Sequence, residues 1–184
     1  MLISPATRFD GADLSEANFE GTVVDSFFVY DDSTQFPDEL DISEGINLDD
    51  YITGDGGTLT WGMALRNGER IPESKAVIDN IKLLAQRLEA LQQEYNLQRF
   101  SVNSWYRPPE VNRQAGGADT SAHLEGKAAD VSWSNISKDS CKEIIEQQID
   151  TWPGHLACSS SFMHLDLIEP FPIDDESKTW EYQH

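Results

Sequence analysis

Between Arg8 and Arg66 the chain has no lysine or arginine at all, against fourteen aspartates and glutamates. Over its 184 residues it carries 13 basic and 33 acidic side chains, a net charge of −20. So acidic a surface repels a phosphate backbone instead of neutralising it, and gains nothing from anionic headgroups. Nucleic acid and membrane surfaces are therefore excluded as partners, and solubility is the plainest reading of the charge. Long apolar runs are missing too: none approaches the roughly 18 residues that span a bilayer. The start, residues 1–11, lacks the basic and apolar regions of a secretory signal, so the expectation is a soluble chain, cytoplasmic as synthesised. Action outside the cell would need another export route or a cleaved precursor. Cysteine is scarce. Cys141 and Cys158 stand 17 apart, which matches no metal-knuckle spacing. Free, buried thiols are expected there, with a disulfide as the alternative.

What is present argues for a folded protein. Apolar residues make up 39 % of the chain and five are tryptophan, and the length suits one domain or a core with an appendage. The charge shift near Arg66 divides it into an acidic N-terminal extension, 1–57, and a main domain, 58–184. Inside the extension Phe9, Leu14, Phe19 and Val24 recur every five residues. This resembles the pentapeptide-repeat proteins, whose central Leu or Phe stacks inside a square β-helix. So few residues make less than one coil, and solenoids need several stacked units, so a strand or loop docked on the main domain is the favoured expectation. Ser26 to Tyr30 reads as a strand. Asp31 to Gly57 reads as a turn-rich segment whose Gly54-Asp55-Gly56-Gly57 lacks the alternating acids of a calcium loop.

In the main domain, Pro72 and Ser74 open a helix of about 22 residues. Val77, Ile78, Ile81, Leu84, Ala85, Leu88, Leu91 and Tyr95 follow at helical spacing, a stripe that belongs to a core. Phe100 to Trp105 alternates like a strand, and Lys127 to Trp133 forms another. Ser137 caps a helix running to about Asp150, with Cys141, Ile144, Ile145 and Gln148 on one face, and Ser161 to Ile168 makes a further strand. This order predicts an α+β fold with a small, mostly antiparallel sheet flanked by helices.

Histidines number only four, and His184 is the last residue. His123 lies in Ser121-Ala122-His123-Leu124-Glu125-Gly126-Lys127-Ala128-Ala129-Asp130. There Gly126 turns the chain tightly, Ala128 packs closely, and Asp130 projects from the same side of the strand as Ala128. His164 lies in Phe162-Met163-His164-Leu165-Asp166, where period two puts His164 and Asp166 on one face. Two imidazoles and a carboxylate suit zinc, and three protein ligands leave a position open for water, as catalytic sites do.

Four ordered motifs carry a resemblance. They are Ser104-Trp105-Tyr106-Arg107-Pro108-Pro109-Glu110-Val111-Asn112, then Gly116-Gly117-Ala118, then Ser121-x-His123-x-x-Gly126-x-Ala128-x-Asp130, then Phe162-Met163-His164-Leu165-Asp166. Together, over about Trp61 to Leu167, they resemble the zinc D-Ala-D-Ala carboxypeptidase family, which includes phage and bacterial murein peptidases of the hedgehog/DD-peptidase fold. The resemblance implies that fold, a zinc cofactor, and peptidoglycan stem peptides as substrate; a phage-associated protein also fits it. It implies His123, Asp130 and His164 as metal ligands and Arg107 as a catalytic residue that holds a substrate carboxylate or the oxyanion, a structural pairing with an acidic neighbour being the alternative. It also implies Ser121 as a substrate-binding residue, a plain loop-capping role being the equal alternative. Many relatives place an acidic general base three residues before the last histidine, where this chain has Ser161. Asp166 is the nearest acidic substitute for the catalytic role, or else a partner that orients a ligand. The alternative to a peptidase is a non-catalytic, zinc-containing binding module of the same fold, for cell wall or protein.

Overall fold

A computed structural model describes residues 2–3, 7–19, 23–24, 27–38, 40, 45–168 and 179–181. Ser26 of the expected strand, His184, and residues 39 and 41–44 of the turn-rich segment lie outside them. The long helix is α2, Lys75–Glu94, and α1 is a single turn before it, Trp61–Ala64. Ser74 caps α2, its hydroxyl accepting from the Val77 amide, while Pro72 stands just outside. Val77, Ile78, Ile81, Leu84, Ala85, Leu88 and Leu91 are all buried on one stripe, as the 3.6-residue period demands. That stripe packs on the inner face of a five-stranded sheet of β5 (Phe100–Ser104), β6 (Ala128–Trp133), β7 (Leu156–Cys158), β8 (Met163–Asp166) and β9 (Thr179–Glu181). The order is β5-β6-β8-β7-β9, antiparallel except for the parallel pair β7–β9. Two more helices lie among the described residues: α3, Pro109–Gln114, and α4, Lys138–Gln148, the latter capped by Ser137.

Cys141 and Cys158 are joined by a disulfide, Cα to Cα 6.3 Å. The expectation of free thiols is thereby corrected. Cys141 does face the core from α4, beside the buried Ile144 and Ile145. Its partner comes from β7, a strand that the sequence pattern does not reveal, so the two thiols could not be seen to face each other.

The segment that carries the five-residue repeat pairs in parallel with the chain that follows it. β1, Leu2–Ile3, pairs in parallel with β2, Val23–Val24; Arg8 bridges Val29, and Asp13 bridges Gln35. The next layer is β3, Phe28–Tyr30, in parallel with β4, Gly45–Asn47. Within the first layer, tight turns close from the Phe9 carbonyl to the Ala12 amide, then from Leu14 to Ala17, five residues on. Phe9 packs edge to face on Phe28 and Phe36, and Phe36 likewise on Tyr30, with ring centroids 5.3–5.8 Å apart. The neighbouring layers are not repeats themselves. The stack rests on the body directly: Val29, Ile46, Leu48 and Ile52 belong to the same buried core as α2. The Glu89 carboxylate on α2 accepts from the Thr58 and Leu59 amides and the Thr53 hydroxyl.

Candidate metal centre

The site is built on the β6–β8 pair, whose register sets Asp130 directly opposite His164 and Ala128 opposite Asp166. His123 reaches the same place from a 3-10 turn, Ala122–Glu125, that leads into β6. Gly126 ends this turn in the left-handed region, at φ 72°. A β-carbon there would also come within 2.8 Å of Ile81 and 3.0 Å of the Val77 carbonyl. Glycine is thus required twice, once for the turn and once for the approach to α2. On the other side, β5 has a bulge between Val102 and Ser104, which brings Ser104 against Asp130.

His123, Asp130 and His164 are all buried, and one candidate ligand atom from each lies within 4.8 Å of the other two. The Nδ1 of His123 donates to the Trp105 carbonyl at 2.7 Å. Its Nε2 therefore carries the lone pair, and this buried atom has no hydrogen-bond partner. It lies 3.4 Å from Oδ2 of Asp130, about the edge of a tetrahedron with ~2.1 Å arms. His164 brings Nδ1 to 2.7 Å from Oδ1 of Asp130, while its Nε2 faces Oδ2 of Asp166 at 3.6 Å. An orphaned imidazole nitrogen, a carboxylate and a second imidazole form a donor set that fits a zinc-like ion.

Burial lowers the pKa of His123, so its ring stays neutral. Burial pulls His164 the same way, but its hydrogen bond to Asp130 and the nearby Asp166 carboxylate outweigh that and raise it. Asp130 is held far below the ordinary carboxylate range: desolvation opposes ionisation, and the two histidines overcome it. Asp166 is likewise lowered against desolvation, by His164 and by the His155 and Ile168 amides.

Arg107 stands at the rim. Its Nη2 donates to Oδ2 of Asp130 at 2.6 Å and its Nε to the Ser104 hydroxyl at 2.7 Å, which holds the guanidinium against the carboxylate. Arg70, which the sequence pattern did not single out, donates through Nη1 to the same hydroxyl and to the Tyr106 carbonyl. Its only signal was position, among the first cations after the long acidic stretch. Ser121 precedes the 3-10 turn half-exposed, and its side chain makes no capping hydrogen bond. Asn112 shapes the loop, donating to the Ala118 carbonyl. Ser161 is exposed in a tight turn, its amide and that of Phe162 both bound to the Ser159 hydroxyl. Asp166 is buried, and its oxygens accept from the His155 and Ile168 amides and from Nδ1 of His155. His155 too was missed, because nothing in its neighbourhood repeats a motif.

A family model described as Peptidase M15 matches residues 59–166, from the start of the body through Asp166. The chain belongs to the peptidase M15 family. A search of curated proteins found no match. Members of the M15 family are metal-dependent peptidases, and in this member the matched segment contains the whole His-Asp-His group. The mixed helix and sheet architecture, with its small antiparallel sheet, is compatible with an M15 peptidase. Among the described residues no helix is long and apolar enough to cross a membrane.

Proposed function

We propose that the protein is a zinc-dependent peptidase that hydrolyses peptide bonds in the stem peptides of peptidoglycan, as a D-Ala-D-Ala carboxypeptidase or a murein endopeptidase. The observation that carries the reading is the buried, partnerless Nε2 of His123 aimed at the Asp130 carboxylate. His123, Asp130 and His164 would hold the ion. When bound there, zinc supplies Lewis-acid polarisation of a carbonyl and a water of lowered pKa. Arg107 binds a substrate carboxylate or steadies a developing oxyanion: Nε and Nη2 are committed to Ser104 and Asp130, which leaves Nη1 for the ligand. The Ser121 hydroxyl, not used in capping, is available to position the peptide. In this reading Asp166 orients His164 and does not take the proton, because both its oxygens already accept hydrogen bonds.

Ser161 supports a second reading, a zinc-containing binding module without catalysis, since a hydroxyl cannot serve as the base at neutral pH. One experiment separates the two. Zinc content is measured, and purified peptidoglycan is digested with wild type and His123→Ala. Metal-dependent peptide release that His123→Ala abolishes establishes the peptidase; bound zinc with no release under any condition establishes the module.

A further inference from the structure

A third histidine lies behind the site, and its surroundings are built around a single carboxylate. Asp166 is 4 % exposed. Its Oδ1 accepts from the backbone amides of His155 at 2.9 Å and Ile168 at 3.0 Å. The Nδ1 of His155 lies 3.1 Å from Oδ1 and 3.0 Å from Oδ2, so one residue grips the carboxylate with main chain and ring together. Trp152 donates its indole N–H to the Asp166 carbonyl at 2.6 Å. Between them, Gly154 has no room for a side chain: a β-carbon would fall 2.2 Å from that carbonyl and 2.6 Å from Oδ1. The segment from Trp152 to His155 thus packs closely against Asp166.

Asp166 also faces His164, whose Nε2 stands 3.6 Å from Oδ2. That separation is beyond a formed hydrogen bond and within a few tenths of an ångström of one. His164 turns its other nitrogen, Nδ1, toward Asp130. Only the tautomer with its hydrogen on Nε2 leaves Nδ1 a lone pair for an ion, and that hydrogen needs an acceptor where Asp166 stands.

We propose that His155 is a positioning residue of the metal centre: it clamps Asp166 so that Oδ2 faces Nε2 of His164 and Nδ1 is presented as a ligand. The proposal rests on the metal-centre reading above. His155 touches neither the ion nor the substrate. It acts through Asp166, and Gly154 is the residue that lets it come close enough.

The test is zinc affinity, measured on the metal-free full chain by competition with a chromophoric chelator, with thermal melts of the metal-free proteins alongside. Removing a hydrogen-bond partner behind a metal ligand typically weakens affinity about 10–100-fold. His155→Ala should lose at least about tenfold, whereas His155→Asn, whose amide N–H can replace Nδ1–H, should stay within a few-fold of wild type. Asp166→Asn keeps an acceptor for the two backbone amides but removes the one facing His164, and should lose as much as His155→Ala. Zinc affinity unchanged in His155→Ala or in Asp166→Asn overturns the proposal, as does equal weakening in His155→Asn and His155→Ala. Wild type that binds no zinc overturns the metal-centre reading beneath it, a result separable from either.

Discussion

Reduction of the Cys141–Cys158 bond should lower stability without dismantling the fold, and its size follows from loop length. The bond closes a segment with a sequence separation of 17. In the chain-entropy treatment, a loop of that length restrains the unfolded state by about 10 cal/mol/K, or roughly 3 kcal/mol at 25 °C. For a domain of this size, each kcal/mol moves the melting temperature by about 2–4 °C, so a fall of roughly 6–12 °C is expected. The measurement is a thermal melt in chelator, with and without reductant, repeated on the Cys141→Ala/Cys158→Ala double variant in both conditions. The double variant should melt near the reduced wild type, somewhat lower if the lost sulfurs leave a cavity, and should ignore reductant. A melting temperature indifferent to reductant in the wild type would refute the reasoning, as would mass spectrometry showing two free thiols after purification in air. The local consequence is also specific. Cys158 pairs with Met163, and Ala157 with His164, so the bond anchors the strand beside a candidate ligand, and zinc affinity should fall modestly on reduction.

Two further outcomes follow from the same structure. Gly126→Ala places a β-carbon at a positive φ and against α2, costing about 1–3 kcal/mol for the backbone conformation alone; denaturant melts should show it, and zinc affinity should fall because His123 and Asp130 flank the turn. For the metal-free protein, the pH dependence has contributions of opposite sign. Asp130 and Asp166 have folded pKa values below their unfolded ones, so their contribution is present above about 4 and is lost as pH falls below it. His164 has a raised folded pKa, so its contribution is full below about 6.5 and is lost as pH rises through the raised value. His123 has a lowered folded pKa and opposes His164, its contribution being lost as pH falls below about 6.5. Stability without metal should therefore fall away in acid, below about 4, and excess zinc should move the peak upward, since a bound ligand nitrogen must be unprotonated. A melting profile whose peak zinc leaves in place would contradict the placement of His164 in the ligand set.

How much of this was legible in the sequence depended on whether the determinant was local. The α2 stripe was readable because one period governs twenty residues, and every apolar position from Val77 to Leu91 on that stripe is buried. The faces of β6 and β8 were readable for the same reason, and those faces, joined by register, bring Asp130 to His164. Boundaries shifted by a residue or two: the strand expected from Lys127 begins at Ala128, and the one expected from Ser161 begins at Met163, after the turn held by the Ser159 hydroxyl. What stayed hidden was pairing across the chain. The disulfide, the grip of His155 on Asp166, and the sharing of the Ser104 hydroxyl by Arg70 and Arg107 each join segments that no period connects. The parallel stack of the N-terminal segment was hidden differently. Its first layer announces itself by a repeat, and the layers that make it stable do not.

The stack also bears on how the chain is held together in time. Val29, Ile46, Leu48 and Ile52 lie in one core with Leu59, Trp61 and the α2 stripe. Part of the acidic segment therefore shares an interior with the body that matches the family. A chain begun at residue 58 would present Leu59 and Trp61 to water, now 0 % and 7 % exposed. The segment that lies before the family match is in this sense a wall of the same room.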